Sequence, residues 1–290
     1  MEGYIIPLYN FELEESIKEL DLGNEKILRI EPNDSNGQIY MRPIGSSELS
    51  IVHKLPGYII KTERQTGWKP RRILDRVLTV FKLFKEGTVT SKLVLNENWG
   101  LEDFVPHYTP WSTTQPTQFV MTGDEVTLFK KHWEKYQDVD IFNYAINNFH
   151  IAVYNPYDKY QLANYVQALE VLFVPDLENV TKTVARGRIA KHQTITMNFK
   201  KRGSQILHRR LNYIKIEDIE HKLEYFYNYR SAIVHSKKNK FDELRKITEI
   251  RDTFLELRMY CREAIKFFHE HDCISDEDKR VEMMESMLKS

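Results

Sequence analysis

Cysteine is scarce in this chain: Cys261 and Cys273 are the only two among 290 residues. Two thiols are too few for a disulfide framework or for a zinc site made of cysteines. The scarcity excludes the small secreted scaffolds that depend on disulfides, and it favours a reducing compartment.

Long apolar runs are also missing. No uninterrupted apolar segment approaches the roughly 20 residues that a membrane-spanning helix needs. The first seven residues, MEGYIIP, lack the basic region followed by an apolar core that marks a signal peptide. We therefore expect a cytoplasmic protein with no membrane partner.

Several common catalytic and nucleotide-binding motifs are absent as well. The chain contains no Walker loop, no dinucleotide-binding glycine fingerprint and no His-Glu-x-x-His pair. The sequence thus argues against these enzyme classes, and we expect neither a metal nor a cofactor.

Acidic residues are missing from one long segment. Basic and acidic side chains each number 42, so the net charge indicates no polyanionic partner, yet residues 179–216 contain no Asp or Glu. A basic block in an otherwise acidic chain is typical of a surface that follows a phosphate backbone. The candidate RNA contacts in this block are Arg186, Arg188, Lys200, Lys201, Arg202, Arg209 and Arg210. The alternative is a solvated, partly disordered loop.

The first part of the chain has mixed patterning. Residues 11–20 are predicted as a short helix, and residues 69–85 as a longer helix with one apolar face. Strands are predicted at residues 26–30, 38–41 and 89–95. Residues 106–117 contain three prolines with Ser and Thr, which is typical of a linker. The sequence thus predicts an N-terminal mixed α/β domain at residues 1–117.

Beyond the linker the apolar spacing is helical, which predicts an all-α helical bundle at residues 118–271 and an α+β fold class overall. Helices are predicted at residues 124–136, 140–151, 155–175 and 217–236, and a long last helix begins at Asp242. Asn155 is the predicted N-cap of the third helix, with Pro156 at its first position. A charged tail at residues 272–290 has the spacing of one more weak helix.

One predicted helix carries a cation on its apolar face. Ile219, Leu223 and Phe226 recur at spacings of three and four, and Arg230 falls where the next apolar residue belongs. A guanidinium stays protonated in proteins, so a buried one needs an anionic or hydrogen-bonding partner. His235 lies about 140° around and about 7.5 Å along an ideal helix from Arg230. Two such helices at a dimer axis could close around one small group, whereas a single helix could not easily do so.

Glu170 is the most apolar-flanked carboxylate of the helical region, because it lies between Leu169 and Val171. We predict that it pairs with Arg230, since a buried cation needs a counterion. The alternative is a partly exposed Glu at a helix edge. Ser231 lies four residues before His235, but no oxyanion-hole motif accompanies it, which argues against a serine hydrolase.

Two segments resemble a known family. Residues 229–235, which read YRSAIVH, are similar to the signature of the Apea-like HEPN domains: an Arg-Ser pair, two or three apolar residues and a His. Residues 168–175, ALEVLFVP, resemble that family's Ala-Leu-Glu helix ending at a proline. The resemblance covers residues 122–269 well and residues 1–111 more loosely. It implies a HEPN-like helical domain and a dimeric, metal-independent ribonuclease of a prokaryotic conflict system, although some members are inactive binding modules.

The resemblance also implies a site made of Arg230, His235, Glu170 and Ser231. His235 is expected to deprotonate a ribose 2′-hydroxyl, because histidine titrates near neutral pH. Arg230 is expected to stabilise the phosphorane, and His235 of a second copy to protonate the leaving 5′-oxygen. The expected partners are RNA, a second copy of the chain and a phage or cellular trigger. The alternative is a non-catalytic module that dimerises and binds RNA or a nucleotide.

Overall fold

The computed structural model describes residues 3–30, 57–63, 69–87, 89–91, 93–98, 101–104, 118–155, 158–174, 188–235 and 250–289. The chain folds as two compact units, Met1–Ile141 and Phe142–Ser290. The first unit contains strands and helices, whereas every described element of the second is a helix. The predicted α+β fold class is therefore confirmed.

The first unit is built around an antiparallel sheet. Its described strands are β1 (Gly3–Leu8), β2 (Phe11–Leu13), β3 (Glu19–Asp21), β4 (Glu25–Arg29), β5 (Tyr58–Glu63), β6 (Leu93–Asn96), β7 (Leu101–Phe104) and β8 (Phe119–Met121). Six of them form the sheet in the order β3-β4-β5-β1-β6-β7, while β2 and β8 form a separate parallel pair. The described helices of this unit are α1 (Pro70–Phe84) and α2 (Gly123–Tyr136).

A buried ion pair joins α1 to the sheet. Arg76 of α1 binds the Glu25 carboxylate of β4, and Thr62 of β5 donates a hydrogen bond of 2.7 Å to the same carboxylate oxygen. Arg76 also donates to the carbonyl of Gln137, just after α2, at 3.0 Å. A charged pair in this position needs such additional hydrogen bonds to offset its desolvation.

The helix α2 belongs to the first unit, although the boundary predicted at residue 117 assigned it to the helical domain. Thr122 and Glu125 form a capping box at its start. Phe129 stacks on Phe81 of α1 at 5.2 Å between ring centroids, and His132 forms a 2.9 Å hydrogen bond with the Val80 carbonyl. These contacts hold α2 against α1, and the units divide only after Ile141. The predicted linker at 106–117 lies outside the described residues.

The helix predicted at residues 11–20 is wrong. This segment forms β2 and β3 instead, because β2 finds a parallel partner more than 100 residues away in β8. The strand predicted at 26–30 and the helix at 69–85 are confirmed by β4 and α1. The strand predicted at 89–95 is observed as a shorter strand that starts later, since β6 begins at Leu93 and ends at Asn96. Thr90 forms only an isolated bridge with Tyr9. The strand predicted at 38–41 lies outside the described residues.

The described helices of the second unit are α3 (Tyr144–Tyr154), α4 (Asp158–Phe173), α5 (Arg188–Arg210), α6 (Ile216–Val234), α7 (Ile250–Glu270) and α8 (Glu277–Lys289). The helices predicted at 217–236 and in the tail are confirmed by α6 and α8. The helix predicted at 140–151 starts later, because Asn143 caps α3 by accepting hydrogen bonds from the backbone N–H groups of Ala145 and Ile146. Asn155 is the C-cap of α3. Its predicted role as the N-cap of the next helix stays a prediction, because residues 156–157 lie outside the described residues. Pro156 and Asp242 lie outside the described residues.

The basic segment forms a regular helix, α5, over residues 188–210, so the disordered-loop alternative is wrong there. The helix packs closely on α4 and α6 at Gly203. A Cβ atom at Gly203 would lie 2.7 Å from the Phe173 ring and 2.8 Å from Leu223. The three helices α4, α5 and α6 therefore meet at a position where only glycine fits without displacement. None of the described helices is both long and apolar enough to cross a lipid bilayer.

Candidate functional site

The candidate site lies where the last turn of α4 meets α6. Ile219, Leu223 and Phe226 form a fully buried stripe along α6, and Arg230 continues that stripe one turn later. Arg230 Nη2 lies 3.2 Å from Glu170 Oε2, and the two side chains are only 23% and 16% exposed. The predicted pairing of Glu170 with Arg230 is thus confirmed.

The surroundings of Glu170 act on its charge in opposite directions. Burial raises the pKa of the Glu170 carboxyl above its ordinary 4.5, while the Arg230 guanidinium acts to lower it. Burial is the larger of the two influences. Arg230 therefore favours the charged form of Glu170, against the effect of burial.

Tyr227 and Thr196 extend this polar cluster, and neither was predicted from the sequence. Tyr227 lies one turn before Arg230 on α6, is buried, and packs its ring 5.3 Å from the Phe199 ring of α5. Burial and the Glu170 carboxylate raise the pKa of the Tyr227 phenol, whereas Arg230 and a hydrogen bond with the Thr196 side chain oppose the increase. The spacing of three residues from Arg230 could have indicated Tyr227. Thr196 had no such signal, because it reaches the cluster from α5, a helix that the sequence patterning did not predict.

His235 ends α6 and is exposed to solvent. Its backbone N–H donates a 3.1 Å hydrogen bond to the Ser231 carbonyl, which holds the residue in the last turn. Its ring forms no hydrogen bond or ion pair with the described side chains, so one chain does not bring the imidazole onto the Glu170–Arg230 pair. This agrees with the geometric argument that one helix cannot easily close both groups around a small ligand.

Ser231 is buried on α6, next to Arg230. A nucleophilic hydroxyl must be reachable by substrate and must lie beside a base. The burial of Ser231 therefore favours a packing role in the helix over direct chemistry.

Several of the predicted RNA contacts have protein partners. Arg202 is 6% exposed and donates a hydrogen bond to the Phe173 carbonyl at 3.4 Å, which corrects its assignment to an RNA-facing surface. Lys200 pairs with Glu224 at 2.9 Å. Arg210 pairs with Glu263 at 3.1 Å and with Glu270 at 2.8 Å. These cations mainly hold α5 to its neighbouring helices.

Lys201 and Arg209 remain exposed on α5 and form no ion pair with the described side chains. Arg186 and the side chain of Arg188 lie outside the described part of the chain. A groove of about 520 Å³ on the Lys200 side of α5 is lined by Glu217, Glu220 and Glu224 of α6, so it would repel a phosphate backbone. Among the predicted RNA contacts whose side chains are described, Lys201 and Arg209 are therefore the two that remain exposed and form no ion pair with the described side chains.

No group of three or more His, Cys, Asp or Glu side chains within the described ranges is arranged to hold a metal ion. Both cysteines are buried and unpaired, and burial raises the pKa of the Cys261 thiol well above its ordinary value. Neither thiol therefore has the exposed, low-pKa character of a nucleophile.

No protein-family model, curated protein or solved structure matches this chain. Its own residues, and the two short segments that resemble HEPN domains, are therefore the basis for a functional proposal.

Proposed function

We propose that this protein is a metal-independent endoribonuclease of the HEPN kind, which cleaves RNA by attack of a 2′-hydroxyl on the adjacent phosphate. The observation that carries the proposal is the half-buried ion pair between Glu170 of α4 and Arg230 of α6, the helix whose C-cap is the exposed His235. A fixed cation and an accessible base are the two groups that this reaction needs.

His235 is the general base. It removes the proton of the ribose 2′-hydroxyl, whose oxygen then attacks the phosphorus and expels the 5′-oxygen of the next nucleotide. The products are a 2′,3′-cyclic phosphate and a 5′-hydroxyl, and no water or metal ion takes part in this step. DNA lacks the 2′-hydroxyl, so it could bind but would not react.

Arg230 stabilises the charge that develops on the phosphorane oxygens. A guanidinium can bind two phosphate oxygens at once, which suits it to this role. Glu170 holds the guanidinium in place, because its carboxylate is fixed on the neighbouring helix α4. The Arg230 side chain remains 23% exposed, which leaves part of its fork accessible to a phosphate.

A second copy of the chain supplies the general acid. In a two-fold dimer the same patch of each copy meets itself, so two α6 ends would bring two His235 side chains to one site. Val234, which is 52% exposed, and the half-buried Ile233 lie between Arg230 and His235 and would provide apolar contacts in such an interface. One His235 would then act as base and the other as acid, which gives a bell-shaped dependence of rate on pH.

Lys201 and Arg209 are the described residues best suited to hold the RNA backbone, because they are exposed and unpaired within the described structure. By its resemblance to the Apea-like HEPN group, we assign the activity to a prokaryotic antiviral or toxin system in the cytoplasm. A phage or cellular molecule would act as the trigger.

The test compares His235→Ala with His221→Ala, which changes another exposed histidine on the same helix. The purified proteins are incubated with total RNA in excess EDTA, and the ends of the products are identified. We expect the wild type and His221→Ala to yield 2′,3′-cyclic phosphates, and His235→Ala to be slower by about two to four orders of magnitude. Equal cleavage by His235→Ala, or cleavage that EDTA abolishes, would contradict the mechanism.

The alternative is a non-catalytic module that dimerises and binds RNA or a nucleotide. It is favoured by the fact that Glu170 already satisfies Arg230 within one chain, so the pair could serve packing alone. Under this alternative the wild-type protein binds RNA in the same experiment but leaves it uncut.

A further inference from the structure

The first unit contains a recess of about 390 Å³ at one end of its antiparallel sheet. The residues that matter for its chemistry are Gly3, Ile5, Gly23, Lys26, Lys61 and Glu97. They come from the starts of β1 and β4, the end of β5 and the residue after β6. The recess is therefore a product of strand register and not of any local sequence motif.

The register places two lysines side by side. Lys26 of β4 and Lys61 of β5 are direct cross-strand partners, and Ile5 of β1 is the next residue in the same row. Side chains in such positions lie about 5 Å apart at their Cβ atoms and on the same face of the sheet. Two like charges directly opposite each other destabilise a sheet, and an anion bound between them would offset this cost.

The two lysines differ in their partners. Lys26 pairs with Glu19 at 3.2 Å and lies 3.9 Å from Asp21, and these carboxylates raise the pKa of its ammonium group. Lys61 forms no ion pair with the described side chains. Exposed ion pairs contribute little to stability, so Lys26 can reorient towards a ligand, while Lys61 supplies a positive charge that no described carboxylate neutralises in an ion pair.

Glycines keep the recess open. A Cβ atom at Gly3 would lie 2.9 Å from the Thr62 carbonyl oxygen and 3.1 Å from a Glu97 carboxylate oxygen. Gly23 has a φ of 89°, and its N–H donates to the Asp21 carboxylate at 3.0 Å, which turns the chain tightly between β3 and β4. The Glu97 carboxylate thus lies near Gly3, in a recess that is also lined by Lys26, Lys61 and Ile5.

We propose that this recess binds a small organic anion that also carries hydroxyl groups, such as a sugar phosphate. Lys61 and Lys26 bind the anionic group, which is either a phosphate or a carboxylate. Glu97 accepts hydrogen bonds from the hydroxyl groups, and Ile5 contacts the carbon skeleton. The inference goes beyond the ribonuclease proposal and does not depend on it, because all of these residues belong to the first unit.

The experiment is calorimetric titration of the full-length protein with ribose 5-phosphate, ribose, inorganic phosphate and gluconate. We expect no binding of ribose, and tighter binding of ribose 5-phosphate or gluconate than of inorganic phosphate. Binding of ribose 5-phosphate identifies a phosphate site, and binding of gluconate alone identifies a carboxylate site. Lys61→Gln should weaken the affinity for the anion by about tenfold or more, since it removes one charged hydrogen-bond donor.

Lys18→Gln is the matched control, because Lys18 is exposed in the same unit and lies outside the recess. Glu97→Gln should increase the affinity for inorganic phosphate, because it removes a nearby negative charge. It should also reduce the preference for the hydroxylated anion over inorganic phosphate. The proposal is overturned if neither ribose 5-phosphate nor gluconate binds, or if inorganic phosphate binds as tightly as each of these two anions. It is also overturned if Lys18→Gln weakens binding as much as Lys61→Gln.

Discussion

Among single residues of the second unit, Glu170 has surroundings that act on its charge in opposite directions. Burial raises the pKa of its carboxyl above 4.5, and Arg230 opposes that increase. The folded protein therefore binds this proton more tightly than the unfolded chain does. The associated stability is fully present below the unfolded pKa and is lost as the pH rises through the folded pKa.

We expect Arg230→Ala to reduce the free energy of unfolding by about 1–3 kcal/mol at pH 8, because it leaves a half-buried carboxylate without its cation. The loss should shrink as the pH falls towards 5, since removal of Arg230 raises the pKa of Glu170 further and the carboxyl then accepts a proton. Urea unfolding of wild type and variant between pH 5 and 8 measures the effect. The double variant Glu170→Gln with Arg230→Ala serves as control and should show no such dependence. A penalty that is equal at every pH would contradict the assignment.

Tyr227→Phe tests the other half of the cluster. The variant keeps the ring packed on Phe199 and removes only the hydroxyl that bonds Thr196, so stability should fall by about 1 kcal/mol or less. If that hydroxyl orients the Glu170–Arg230 pair, kcat for RNA cleavage should fall about tenfold with KM unchanged. Thr196→Val should have the same effect, and the double variant should be no slower than either single variant. Additive losses would mean that the two residues act separately.

Among the helices, α5 combines cations that bind neighbouring helices with cations that remain exposed. Arg202, Lys200 and Arg210 bind carbonyls or carboxylates of other helices, so much of its positive charge holds the bundle together. Among the described side chains of α5, Lys201 and Arg209 are the exposed cations. Cations in the described part of α5 thus contribute to packing, and contact of this helix with RNA stays a prediction.

Gly203→Ala tests how tightly α5 packs. Alanine in a helix is normally more stable than glycine by about 1 kcal/mol. Here the added methyl group would overlap Phe173 and Leu223, so we expect the free energy of unfolding to fall by about 1–3 kcal/mol. Gln205→Ala, two residues on and half-exposed, is the control and should change stability little. An increase in stability for Gly203→Ala would show that the helices separate easily at this point.

At the scale of the whole molecule, the proposed chemistry needs two chains. Each chain supplies one Arg230 and one His235, and the His235 ring does not reach the Glu170–Arg230 pair within the described structure of one copy. Dimerisation through the end of α6 would therefore control activity as well as assembly.

We expect the wild type to be a homodimer, as measured by light scattering at micromolar concentration. Val234→Glu should convert it to a monomer and abolish RNA cleavage, because it introduces a charge into an interface that must meet its own copy. Leu288→Glu changes a similarly exposed apolar residue on α8 and should leave both properties unchanged. A Val234→Glu dimer that cleaves RNA normally would exclude this interface.

The sequence by itself determined the features that arise from local patterning. Apolar spacing predicted α1, α2 and α6, because the helical period appears within a few turns of the chain. The pairing of Glu170 with Arg230 was also predictable, since a cation on an apolar face requires a counterion wherever the chain folds.

The tertiary structure alone decided everything that depends on which distant segments meet. Residues 11–13 are a strand because Phe119–Met121 lies beside them, and the local pattern of residues 11–20 contains no record of that partner. Likewise, only packing against other helices separates the buried Arg202 from the exposed Lys201 next to it. The Lys26–Lys61 row and the contact of Thr196 with Tyr227 also join positions more than 30 residues apart. The charge of a segment and the spacing of its apolar residues are local properties of a chain. The exposure of a side chain and the residues it contacts are set by the whole fold.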